Sequence, residues 1–140
     1  MVKKDKENNS YLSLNKLEVY TLSRSLSRIS WKVYCELNWQ NKKIIGDQFI
    51  RATDSVGANV AEGYGRYHYL DKIKFYYNAR ASLKESRHWI ELIKERNLSD
   101  ENNILEYFQI YQKLSPKMNA FINSCYKNKQ DNELPITNSH

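Results

Sequence analysis

The chain has 140 residues, enough for one domain with a single real core. With two Pro and four Gly it has few helix breakers, and no apolar run approaches the ~20 residues that span a bilayer. The net charge is +6, distributed as +3 over residues 1–40, +4 over 41–96 and −1 over 97–140. That surplus, together with eleven tyrosines, is compatible with a nucleic-acid partner, although a soluble domain of this size commonly carries about 2–8 net charges.

Residues 1–12 are polar and basic, with no hydrophobic segment behind the lysines. They read as a disordered N-terminus and not as a secretory signal. Cys35 and Cys125 are far apart and have no metal-ligand spacing. Two lone cysteines of this kind read as small buried hydrophobes in a reducing cytosol, so the expected location is cytoplasmic.

A helical pattern starts near Ser13, which lacks the Glu three positions on that would complete a capping box. Leu22, Leu26, Ile29, Val33 and Leu37 form its apolar stripe, and Arg24, Arg28 and Lys32 a basic row beside it. Residues 38–41 read as a short connection around Trp39. The second helix spans about residues 43–63 or 65, with Ile45, Phe49, Ala52, Val56 and Val60 on one face. Its small residues, Ala52, Ser55, Gly57, Ala58 and Ala61, would let a neighbouring backbone approach closely. Arg51, Asn59 and Glu62 sit in or beside the stripe and are expected to fix helix packing through polar partners. Gly63 and Gly65 are expected to supply the exit and C-cap.

The third helix covers about residues 70–96, with Ile73, Tyr76, Ala79, Leu83, Ser86, Ile90 and Ile93 at core spacing. Asn97 ends it, and Ser99 or Asp100 starts a fourth with Ile104, Phe108, Tyr111, Ser115, Met118, Ile122 and Cys125 in a row. Pro116 removes one backbone hydrogen bond and predicts a bend. Residues 129–140 are polar and read as a disordered tail. The fold class is therefore all-α, an antiparallel up-down-up-down four-helix bundle over residues 13–128.

Catalytic readings are weak. Glu85 and His88 form one ExxH, but a di-iron site needs two plus further glutamates, and neither His68 nor His140 has a Glu three before it. A ribonuclease of the HEPN type shares the bundle architecture but carries Arg four to six residues before His. Here those offsets hold Ser82, Leu83 and Lys84 before His88, and Glu62, Gly63 and Tyr64 before His68. Gly63-x-Gly65 follows a helix, not a strand, so it is no phosphate-binding fingerprint. Glu62 reads as a carboxylate paired with Arg51 or Arg66, or bonded to backbone donors near the helix junction. No enzyme activity, metal or cofactor is expected. Tyr64, Tyr67, Tyr69, Tyr76 and Tyr77 are interleaved with Arg66, Lys72 and Lys74, a pattern that suits base stacking or an oligomer interface equally.

Residues 51–63, RATDSVGANVAEG, followed by Tyr64 and Arg66, resemble the signature of the four-helix-bundle proteins encoded in intervening sequences of bacterial 23S ribosomal RNA. Phe75, Ala79, Ser82, Leu83 and Glu85 are similar to that family's third helix, and residues 117–122 to its fourth. The similarity covers residues 17–127, and Gly57 stands where many members have Pro. In this pattern Arg51, Asn59, Glu62 and Gly63 are the structural signature. The resemblance implies a homopentameric ring without metal or catalytic residues. It extends to the accessory variability protein of diversity-generating retroelements, which implies nucleic-acid binding and association with a reverse transcriptase. The expected binding surface is Arg24, Arg28 and Lys32 with Arg66, Lys72, Lys74, Arg80, Lys84 and Arg87. The alternative is a structural homo-oligomer that acts as a protein-interaction scaffold.

Overall fold

The computed structural model describes residues 13–138, with side chains over 13–127. Among them the chain is all-helical, with no strand. The expected disordered N-terminus, 1–12, lies outside the described residues. A turn of helix over 13–16 is interrupted at Leu17, whose extended backbone (φ −75°, ψ 118°) starts the first long helix, α1 (Glu18–Glu36), without a side-chain cap. The connection expected at residues 38–41 is instead mostly helical. The Asn38 side chain accepts from the Asn41 N–H at 2.8 Å and caps a single turn, Trp39–Asn41. That turn runs through a π-helical stretch, Lys42–Gly46, into α2 (Asp47–Tyr64).

Residues 65–68 lead into α3 (Tyr69–Glu95). Asn97 then takes a left-handed backbone, φ 53°, and turns the chain toward α4 (Glu101–Asn138). Asp100 accepts from the Asn102 N–H at 2.7 Å as the expected cap. Helix α4 continues through Pro116 and over residues that read as a tail, while 139 and 140 are not described.

The long helices pack in a cycle, α1 on α2, α2 on α3, α3 on α4 and α4 on α1. Between α3 and α4 the partners run in opposite order, with Tyr77 on Tyr126, Arg80 on Asn119 and Ser86 on Tyr107. The same holds between α1 and α4. Lys117 pairs with Glu18 at 2.9 Å, while Glu36 accepts from the Ser99 hydroxyl at 2.7 Å, from the Asp100 N–H at 2.6 Å and from Asn103. A carboxylate there also suits the positive end of α4.

The core follows the apolar periodicity of α2 and α3 residue for residue. Ile45, Phe49, Ala52, Val56 and Val60 are buried, as are Ile73, Tyr76, Ala79, Leu83, Ser86, Ile90 and Ile93. Each fully buried large side chain contributes about 1.5–3 kcal/mol relative to exposure. On α1 the stripe shifts, because Ser23 is buried while Leu22 is only half-buried. On α4 the buried row is Ile104, Tyr107, Tyr111, Leu114, Met118 and Ile122. Phe108, Ser115 and Cys125, expected in that row, are half-buried. Tyr107 fills the core against Phe49, ring centroids 5.8 Å apart, and bonds Ser86 through its hydroxyl. Burial pushes its pKa well above the ordinary tyrosine range. Cys35, expected to be buried, is exposed.

Gly63 sets the helix spacing at the end of α2 and Gly65 is the expected C-cap, although no glycine among the described residues has positive φ. Gly65 closes α2 with ordinary right-handed backbone, its N–H on the Ala61 carbonyl at 3.2 Å. Gly63 is buried inside the helix, and a Cβ there would lie 2.6 Å from Tyr76 Cε1 and 3.1 Å from the Lys72 carbonyl. Tyr76 cannot yield easily, because it is buried and packs edge-on to Phe121 at 4.7 Å. Ala58, expected at a tight contact, is exposed instead. The Gly63→Ala protein should therefore lose about 1–3 kcal/mol. Ala58→Leu should stay within about 0.5 kcal/mol of the parent, both read by chemical denaturation.

A candidate nucleic-acid interface

The cationic side chains on the surface fall into separate groups, and the first lies on the α1–α2 seam. Tyr20, Arg24, Arg28 and Trp31 recur at steps of four, four and three, which puts them on one flank of α1. The facing part of α2 presents only Gly57, Ala58 and Ala61, with Asp54 one turn earlier. A Cβ on Gly57 would meet Ser23 Cβ at 3.5 Å, an ordinary van der Waals contact, so the two helices lie side by side with little side chain between them. The cationic and aromatic side chains of α1 therefore stand above a low floor. The result is an open groove of about 480 Å³.

Its parts are held in place. The Arg24 guanidinium donates to the Tyr20 hydroxyl at 3.3 Å and lies 5.9 Å from that ring's centre. Trp31 is 56% exposed, yet it stacks on Tyr34 with centroids 5.3 Å apart and planes 19° from parallel. Tyr34 is fixed in turn by donating its hydroxyl to Asp47 at 2.8 Å, with the Lys42 ammonium 5.2 Å over its ring. That hydrogen bond to a carboxylate raises the Tyr34 pKa. Lys32, expected to continue the basic row, is exposed but does not line the groove; Trp31 takes that end.

A second group lies on the α3–α4 seam and is engaged within the fold. Arg80 donates to Asn119 Oδ1 at 3.3 Å and lies over Tyr77 at 5.2 Å. Arg87 pairs with Glu91 at 3.0 Å and lies over Tyr111 at 5.2 Å. Lys84 is exposed on the same helix. Near the α2–α3 junction, Arg66 pairs with Glu62 at 3.2 Å and lies 4.9 Å from the centre of Phe75. Both partners are about half exposed, so the pair adds little stability. Lys74 is exposed.

Lys72 does something different. Its ammonium donates to the Gly63 carbonyl at 3.2 Å and the Tyr64 carbonyl at 3.1 Å, capping the negative end of α2. Partial burial lowers its pKa from the ordinary lysine value. The nine cationic residues thus do not form one surface.

The signature residues also separate. Gly63 makes the close contact with α3 described above. Arg51 and Glu62 are exposed, and Glu62 pairs with Arg66. The Asn59 amide donates to the Ser55 carbonyl of its own helix at 2.8 Å. None of these three makes the polar lock between helices that their positions beside the stripe suggested. Glu85 and His88 are exposed, and the His88 ring packs edge-on to Trp89 at 4.8 Å.

The 23S rRNA-intervening sequence protein family matches this chain over residues 15–120. The chain belongs to that family. The fold also matches a solved structure of a protein of unknown function from the S23 ribosomal protein family of Bacteroides thetaiotaomicron. That likeness has a TM-score of 0.68 at 20% identity, over 74% of this chain and 97% of the other. No curated protein matches the chain.

The geometry of Lys72 makes a direct forecast. Lys72→Met keeps the aliphatic stem but leaves the Gly63 and Tyr64 carbonyls without their cation. It should cost about 1–2 kcal/mol in a urea denaturation. A variant as stable as the parent would mean that the ammonium does not hold the end of α2.

Proposed function

We propose that this member of the 23S rRNA-intervening sequence family is a non-catalytic nucleic-acid-binding protein that acts as a homo-oligomer in the cytoplasm. The observation that carries the reading is the α1–α2 groove. Two arginines one turn apart rim an open, small-residue floor that ends in an exposed indole. Guanidinium groups bind phosphate through forked donors, and an exposed aromatic ring offers a stacking face to a base. The net charge of +6 favours a polyanion at longer range.

The opposed order of partners across α1–α4 and α3–α4, with short connections, supports an antiparallel up-down-up-down bundle as the subunit. The resemblance of the signature to the intervening-sequence family supports a pentameric ring, and its extension to retroelement accessory variability proteins is the ground for proposing association with a reverse transcriptase. A ring would repeat each groove about its axis and add avidity to weak single contacts.

The second reading is a structural homo-oligomer that binds another protein. Exposed Ile44 (59%), Leu70 (69%) and Leu105 (57%) favour it, since these apolar side chains offer nothing to a phosphate backbone.

The two readings separate by mass and salt. The nucleic-acid reading expects light scattering to give the mass of several chains. It also expects affinity for a structured RNA to fall steeply between low and moderate salt, with log K falling by about 0.7–0.9 per tenfold rise in salt for each phosphate neutralised. Arg24→Glu with Arg28→Glu should weaken binding without unfolding the protein. A monomer, or binding indifferent to salt and to both arginines, would favour the scaffold.

A further inference from the structure

We infer that the α1–α2 groove is a track for single-stranded nucleic acid, with phosphates against Arg24 and Arg28 and a base stacked on Trp31. The inference rests on the nucleic-acid reading above and specifies its ligand class and its orientation.

Access to the ring decides the ligand class. A base inside a duplex has both faces covered and cannot stack on a protein ring, whereas an unpaired base along a single strand can. Trp31 is 56% exposed and lines the groove, whereas Tyr34, stacked behind it, does not. The order Lys42, Tyr34, Trp31 is a short ladder of ring and cation contacts with its last member at the groove. A base would add one more layer. Because Tyr34 is held through Asp47 and Lys42, the indole is ordered before a ligand arrives, and less conformational entropy is lost on binding.

Charge differs in sign across the groove. Its α1 rim carries Arg24 and Arg28, and its α2 side carries the Asp54 carboxylate. A strand lying along the groove avoids Asp54 with its phosphates and meets Arg24 and Arg28 with them. Base edges then face Asp54, which accepts hydrogen bonds from exocyclic amino groups. Adenine and cytosine carry such groups and uracil does not. The floor of Gly57, Ala58 and Ala61 leaves space for the sugar and base.

The test uses the full chain and fluorescence anisotropy with fluorescein-labelled oligoadenylate and oligouridylate, single-stranded, at fixed low salt. Light scattering and thermal melts accompany every variant. Trp31→Ala should weaken oligoadenylate binding about ten-fold, and Trp31→Phe should restore most of it. Arg28→Glu should weaken binding by at least as much, whereas Lys113→Glu, on exposed α4 surface, should change it less than about two-fold. Oligoadenylate should bind more tightly than oligouridylate, and Asp54→Ala should narrow that gap. Trp31→Ala binding like the parent, with Arg28→Glu and Lys113→Glu equally weakened, would overturn the track and leave diffuse electrostatic binding. Loss of assembly mass in Trp31→Ala without loss of affinity would overturn it in favour of a contact between copies. No binding of either oligonucleotide by the parent protein, with structured RNA still bound, would overturn the single-strand assignment alone. No binding of any nucleic acid would remove the functional reading as well.

Discussion

Most of the structure depends on how closely α2 can be approached. At Gly63 a single added carbon would meet Tyr76 and the Lys72 carbonyl, so α3 crosses the end of α2 at backbone distance. That approach brings the Lys72 ammonium within reach of the last carbonyls of α2. It also places Tyr76 in the core against Phe121 of α4. On its other side α2 offers Gly57 to Ser23 of α1, and the same shortage of side chains continues outward as the floor of the groove. One compositional feature therefore does two jobs. It sets the helix spacing inside and leaves an open channel on the surface.

The surface chemistry follows from what the fold has already engaged. Lys72 is bound to helix carbonyls, Arg66 and Arg87 to glutamates, and Arg80 to an asparagine. Each would give up a partner to bind phosphate. Arg28 and Trp31 stand at a groove instead, and Arg24 donates to a tyrosine hydroxyl beside them. Polar side chains on α2 also turn inward on their own helix, as Thr53, Ser55 and Asn59 each bond the carbonyl four residues back. They relieve local backbone polarity and add no lock between helices.

The helices were legible because periodicity reports burial when the two flanks of a stripe differ in polarity. That condition holds on α2 and α3, where every apolar residue at core spacing is buried, joined on α2 by Thr53 and two glycines. It fails on α4, where Tyr107 stands beside Phe108, so period alone cannot choose between neighbouring apolar residues. The approach of Phe49 decides for Tyr107. It fails on α1 too, where Ser23 is buried facing Gly57 while Leu22 is only half-buried. The groove was half legible. Arg24 and Arg28 were visible as a row, but stepping by four led on to Lys32, and the three-residue step to Trp31 is the one that follows the seam. Nothing local marked Lys72 as a cap, because its partners are carbonyls eight and nine residues earlier.

If single-stranded nucleic acid binds as proposed, it lies on the α1–α2 seam rather than along α3, which carries more cationic side chains. Ultraviolet cross-linking of a bound single-stranded oligonucleotide, followed by mass-spectrometric mapping of the attached residue, tests that placement most directly. The seam carries Tyr20 and Trp31, while the α3–α4 side carries Tyr77, Tyr111 and Tyr126, so both sides hold residues able to react. Cross-links on peptides containing Trp31 or Tyr20 are the predicted result. Cross-links confined to Tyr77, Tyr111 or Tyr126 would contradict it.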